Sequence, residues 1–360
     1  MSASSYGRAD RLLHRLALGS RAVAEMSFDM EKATQHPDGD AVATGAHVFI
    51  AGLARAGTTI LMRRFHASGL FGTLTYRDMP FVLAPGLWAK LSRRNRRSIA
   101  RAERAHGDGL LVDIDSPESL DEVFWRIFCG PDYLRPDALV PHDPDKETIA
   151  AYRAHVAAIL KSREGRPGRY LSKTNNSILR LGALRRAFPA ALIIVPFREP
   201  VSQAASLLAQ HRHFREDQRA DRFILDYMGW LGHHEFGLGH RPFVFGGERP
   251  AGDPDTLGYW LSLWCGVYEA LLARHRGEVR FVSYDRLCTE PAVWDALAAA
   301  AGLPEGAAAE PLRHAVREVS GEVPAEVVAR AETVHGELLA AAGDAAEAGT
   351  SQRASSRRFS

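Results

Sequence analysis

The chain has 360 residues, 46% of them hydrophobic and 24% charged, with a net charge of +2. That composition belongs to globular chains with a substantial core, and a charge this close to neutral excludes a dedicated nucleic-acid binder. Three cysteines, Cys129, Cys265 and Cys288, are too scattered for a disulfide framework or a metal knuckle, which fits a reducing compartment.

The N-terminal stretch "MSASSYGRADRLLHRLALGSRAV" carries arginines and an aspartate through its apolar positions, so it lacks the apolar core of a signal peptide. No run of about 18 uncharged apolar residues occurs, so no membrane span is expected and the reading is cytoplasmic. Residues 8–33 have helical spacing and lead into a polar Gly/Asp linker at 34–45. "HVFIAGL" (47–53) is a short apolar run stopped by glycine, as a buried parallel strand would be. "TTILMRRFHASG" follows as a helix ending at Gly69. Further strands are expected at 72–76, 169–173, 191–197 and 279–284, and helices at 116–128, 144–162, 177–187, 200–215, 255–275 and after 291.

Strands alternating with helices predict an α/β fold, a central parallel β-sheet flanked by helices, with helical insertions and a helical C-terminal part. The expected division is an N-terminal helix and linker (1–45), one α/β domain (46–345) and a flexible tail (346–360). Ligands of such sheets bind in loops beyond the carboxyl ends of the strands.

Two such loops stand out. "GLARAGTT" (52–59) joins a strand to a helix; Gly52, Ala56 and Gly57 let backbone N–H groups approach an anion, and Thr58 and Thr59 add hydroxyl donors. A nucleotide-hydrolysing loop would read G-x-x-x-x-G-K-[ST], with its lysine on the phosphates. Thr58 occupies that place here, and Arg55 offers a forked cation instead. The second loop lies in "ALIIVPFREPVSQAASLLAQH" (191–211), where Arg198 leaves a strand end, Pro200 can start a helix, and Ser206 follows eight residues after Arg198. Two anion elements of this kind suggest one ligand with phosphates at both ends.

In these features the chain resembles the PAPS-dependent sulfotransferases, whose donor is 3′-phosphoadenosine 5′-phosphosulfate (PAPS). Their 5′ loop, about G-x-P-[RK]-[SA]-G-T-T, is matched by "GLARAGTT" with Ala54 in place of proline, and their 3′ element by Arg198 and Ser206. The resemblance covers most of 47–290, including "SKTNNSILRLGALRRAFPAALIIV" and "FVSYDRLCTEP". The R-K-G-x-x-G-x-W segment of cytosolic members is missing, which points to a bacterial or Golgi-like branch. The resemblance implies sulfuryl transfer from PAPS to a hydroxyl or amine, in line and without a metal. Arg55 and Lys173 would then stabilise the departing 5′-phosphate, and Asp78 in "TYRDMPF", about two dozen residues after the loop, would be the general base, with His66 as runner-up. For Asp78 the competing roles are pairing with Arg77 or capping a helix.

His211, His213, His233, His234, Glu235 and His240 match no zinc spacing and are expected to line an acceptor pocket or bond one another. The run Lys90, Arg93, Arg94, Arg96, Arg97, Arg101 and Arg104 reads as a solvated helix face or a dock for an anionic acceptor. Trp88, Trp125, Trp230, Trp260 and Trp264 are core residues or walls of an acceptor site. The acceptor stays open among glycans, peptides, lipids and small metabolites. The rival readings are a P-loop phosphotransferase, which the missing lysine opposes, and a non-catalytic nucleotide-binding protein of the same fold.

Overall fold

A computed structural model describes residues 6–92, 102–103, 111–112, 116–247, 249–304, 306, 312 and 321–356. The chain opens with helices α1 (Arg8–Gly19), α2 (Arg21–Gln35) and α3 (Gly39–Ala43), then strand β1 (Val48–Ile50) and α4 (Thr58–Ala67). Next come β2 (Phe71–Gly72), α5 (Pro85–Ser92), β3 (Ala102–Glu103), β4 (Leu111–Val112), α6 (Glu122–Tyr133) and α7 (Lys146–Ser162). Strand β5 (Arg169–Lys173), α8 (Leu181–Ala187), β6 (Leu192–Phe197), α9 (Pro200–Ala220), α10 (Arg222–Trp230) and α11 (Leu257–His275) follow. The described chain ends through β7 (Arg280–Ser283), α12 (Tyr284–Thr289), α13 (Pro291–Ala300) and α14 (Ala325–Ser356).

Five strands make one parallel sheet in the order β2-β5-β1-β6-β7, as the alternation of strands and helices predicted. Its central strand, β1, is buried at every residue, because helices cover both faces. The pleat divides its side chains. Phe49 joins Tyr170, Ile193 and Val195 in one core, with side chains from α6, α7, α9, α11 and α14. Val48 and Ile50 join Leu171, Ile194 and Val282 in the other, closed by Leu61, Met62 and Phe65 of α4 and by Trp294 and Leu297 of α13. A one-residue slip of β1 would exchange these two sets and misplace the turn that follows it.

The differences from expectation are local. The single helix expected over 8–33 is broken at Ser20, whose hydroxyl accepts from the Val23 N–H and starts α2. The expected linker contains α3, capped by Asp38. Only Phe71 and Gly72 pair as strand near 72–76; Thr75 makes an isolated bridge to Pro117, and Tyr76–Asp78 turns as 3₁₀ helix. The arginines at 93, 94, 96, 97, 101 and 104 lie outside the described residues, as do residues 357–360 of the expected tail. Trp125, Trp260 and Trp264 are core residues, whereas Trp88 and Trp230 are half-buried. No helix is long and apolar enough to cross a membrane among the described residues.

Candidate functional site

The first loop runs from the end of β1 into α4, at the carboxyl edge of the sheet. Gly52 lies against β6: a Cβ there would meet the Pro196 carbonyl oxygen at 3.2 Å. Gly57 is the N-cap of α4 with φ 83°, and a Cβ would fall 2.1 Å from the Tyr284 ring, so no other residue fits without moving that ring. Arg55 also has a positive φ, 67°, a conformation that costs a non-glycine residue about 1 kcal/mol or more. That backbone aims the guanidinium across the sheet edge, and its Nε donates to the Ser206 Oγ over 2.9 Å. Thr58 is buried at the first turn of α4.

The second loop follows β6. Pro200 starts α9, and the Glu199 carboxylate caps it by accepting from the Val201 and Ser202 N–H groups at 3.0 and 2.6 Å. Arg198 is buried, its Nε 3.6 Å from an Asp285 oxygen, while the other Asp285 oxygen accepts from the Glu199 N–H. Ser206 lies buried in α9 and, as its bond with Arg55 shows, faces the first loop.

Gln203, a residue that sequence reasoning passed over, ties these pieces together. Fully buried, it donates from Nε2 to the Ala54 carbonyl at 3.0 Å and accepts at Oε1 from the Arg198 N–H and the Trp264 indole. Tyr284 is the second shared neighbour, since its ring covers Gly57 and its hydroxyl feels the Arg198 charge. Burial, first of all, raises the Tyr284 phenol above its ordinary pKa, so it stays protonated. The two loops therefore meet in one place. The signal available in sequence was Gln203's position inside the 198–206 motif.

Lys173 ends β5, in register with Ile50 of β1, and is buried. The chain continues by donating the Thr174 N–H to the Ile50 carbonyl. Asn175 and Asn176, both buried, then reach the loop after α10: Asn175 Nδ2 donates to Glu235 Oε1 at 2.9 Å, and Asn176 Nδ2 to the Gly232 carbonyl at 3.0 Å. Beneath them lies a polar floor. Asp121 accepts from the hydroxyls of Tyr152, Tyr170 and Ser172, and burial pushes its carboxyl up in pKa. Its neighbour Glu122 makes a fully buried, bidentate pair with Arg180 at 2.8 and 3.0 Å. The removal of either partner from such a pair leaves an uncompensated charge in the core.

Asp78 is also buried, but both of its oxygens accept hydrogen bonds. Arg163 donates to Oδ1 at 3.0 Å and to Oδ2 at 2.8 Å, and the Thr75 N–H and hydroxyl add to Oδ2. The carboxylate thus caps its own turn and pairs with an arginine, though the arginine is not the adjacent Arg77. His66 sits in the last turn of α4.

The histidine-rich segments do come together. The Gly237 N–H donates to His211 Nδ1, and His240 bridges the Glu235 carbonyl and the Tyr259 hydroxyl, each at 2.7 Å. Burial lowers His211, His234 and His240 to a pKa of about 4 each. His213 lies apart from them and faces Asp217 on α9. A separate trio, Cys129, Asp132 and His142, has ligand atoms within 4.8 Å of one another. However, Arg180 Nε donates to His142 Nε2, so the proton of the neutral ring sits on Nδ1 and leaves no lone pair for a metal.

A protein-family model described as "Sulfotransferase family" matches residues 47–235. Among solved structures, the chain is similar to the sulfotransferase STF1 of Mycobacterium tuberculosis H37Rv, with 16% identity over 96% of this chain and 84% of that one and a TM-score of 0.48. It is also similar to the sulfotransferase STF9 of Mycobacterium avium, with 14% identity over 92% and 78% of the two chains and a TM-score of 0.47. A sulfotransferase from Alicyclobacillus acidocaldarius is 15% identical over 82% of this chain and 95% of that one, with a TM-score of 0.36. No curated protein matches the sequence.

Proposed function

The chain belongs to the sulfotransferase family, and on that premise we propose that it transfers a sulfuryl group from PAPS to an acceptor hydroxyl or amine. The observation that carries this reading is the junction made by Gln203 and Tyr284, which joins the Gly52–Thr59 loop to Arg198.

In this reading the backbone N–H groups after Gly57 and the Arg55 guanidinium hold the 5′-phosphate, with the N-terminus of α4 adding positive potential. Lys173 approaches the bridging oxygen from β5. As the sulfur–oxygen bond breaks, negative charge builds on that oxygen, and fixed cations in a buried site stabilise it without having to reorganise. Arg198 takes the 3′-phosphate, exchanging part of its interaction with Asp285 for it. Ser206, hydrogen-bonded to Arg55, orients that guanidinium and lies along the path between the two phosphates. The attacking oxygen enters opposite the leaving group, from the side of Asn175 and Glu235. Asp78 enters as the carboxylate that fixes the turn after β2, because a base role would require it to give up Arg163 or Thr75. The acceptor is a glycan, peptide, lipid or small-metabolite nucleophile.

The test is ligand-induced stabilisation. Adenosine 3′,5′-bisphosphate without magnesium is expected to raise Tm more than ATP does, with or without magnesium. The reverse order would favour a P-loop phosphotransferase, and no shift with either would favour a fold that has lost its nucleotide.

A further inference from the structure

The loop after α10, "GHHEF" (232–236), is held unusually firmly for an irregular segment. Gly232 has φ 77°, and a Cβ there would lie 2.5 Å from Glu122 Cγ. Its carbonyl accepts from Asn176, the His233 N–H donates to the Met228 carbonyl at 2.9 Å, and Glu235 accepts from Asn175. The loop is therefore fastened to the residues two and three places beyond Lys173. Glu235 also lines a small cavity together with Leu53 and Ala54 of the anion loop.

Within this frame the histidines differ. The rings of His211 and His240 are used in internal hydrogen bonds, and His234 is kept neutral by burial. His233 retains 23% exposure, with Nδ1 3.7 Å from Glu235 Oε2. Glu235 is itself buried; against the cost of that burial, His233 and Asn175 hold its carboxyl down at a pKa of about 2. A buried carboxylate that stays charged and faces one nitrogen of a part-exposed imidazole is the arrangement by which proteins orient a proton acceptor.

We propose that His233 is the catalytic base of the transfer, with Glu235 as its positioning residue and Asn175 as the link that ties both to the end of β5. The inference rests on the sulfuryl-transfer reading above. The acceptor's O–H proton passes to Nε2 of His233, while Nδ1–H faces Glu235. The acceptor oxygen forms its bond to sulfur as the bond between sulfur and the bridging oxygen breaks. The electron pair leaves on the 5′-phosphate, beside Arg55 and Lys173. No oxidant or further reactant is needed. The charged and titratable groups beside this histidine are Glu235 and His234, which itself feels Arg241, and the Glu122–Arg180 pair lies against the neighbouring Gly232.

The experiment uses sulfur-labelled PAPS with water as the acceptor, following release of free sulfate by wild type, His233→Gln, His233→Ala and Glu235→Gln. His233→Gln is expected to lose about 100-fold or more in rate, with affinity for adenosine 3′,5′-bisphosphate unchanged within about twofold. Added imidazole is expected to restore turnover to His233→Ala, and Glu235→Gln to lower kcat with little change in KM. A merely structural role would produce none of the imidazole rescue. Equal sulfate release by wild type and His233→Gln, or a loss that imidazole does not restore, overturns the assignment of His233. Failure of the wild type itself to bind the bisphosphate overturns the underlying reading instead.

Discussion

The turns after β1 and β6 leave adjacent strands of one sheet, yet they handle positive charge by different means. The first is made of backbone: Gly57 at the N-cap of α4 supplies no side-chain cap, and two residues, Arg55 and Gly57, hold positive φ. The second is made of side chains: Glu199 already occupies the first N–H groups of α9, and Arg198 projects a guanidinium in their place. An anion at the first turn can be wrapped closely by N–H groups, whereas at the second it would be met by the buried Arg198 side chain. In the proposed reading the first holds the end of the donor where charge develops during reaction, and the second an end that only needs holding.

Five substitutions break or sharpen this contrast. The largest effect is expected from Gly57→Ala, because its methyl group collides with Tyr284 and its φ is adverse. Stabilisation by adenosine 3′,5′-bisphosphate should disappear in a thermal-unfolding assay, and persistence of the full shift would remove the first turn from the site. Arg55→Ala should lower turnover by about 100-fold while changing bisphosphate affinity less. Arg198→Ala should do the opposite, weakening affinity by about tenfold with a smaller change in kcat, as expected for loss of one charged hydrogen bond. Kinetics at saturating donor separate the two cases.

Gln203→Leu tests whether the turns act as a unit. The Ala54 carbonyl, the Arg198 N–H and the Trp264 indole all lose their partner, at a cost of about 1–3 kcal/mol in denaturant unfolding. If the turns are coupled, Arg55→Ala and Gln203→Leu together will depart from additivity in donor affinity. The smallest effect belongs to Glu199→Ala, which removes only a cap, about 1 kcal/mol of stability. It should leave the Arg55-dependent turnover nearly intact.

Much of this was legible in the sequence because it was local. The glycine-stopped run at 47–53 is both a strand and the lead into a tight turn, and Pro200 after Arg198 marks a helix start. The parallel sheet followed from alternation alone. What escaped was what depends on distant partners. Asp78 sits among apolar neighbours in sequence but beside Arg163 in space, at the end of α7. Ser206 was read together with Arg198, and its hydroxyl's partner, Arg55, lies 151 residues away in sequence. The helix Arg222–Trp230 was missed because its short pattern runs on from α9 with one break at Asp221, whose carboxylate accepts from the Phe223 N–H.

The contact between Gly232 and Glu122 has a practical consequence for anyone redesigning acceptor choice. The loop carrying His233 cannot be exchanged as an independent cassette, since any side chain at 232 would press on the side chain of Glu122, whose buried carboxylate is paired with Arg180. A transplanted loop must bring its own glycine at that position, or the graft will unsettle the foundation under β5 before specificity can change.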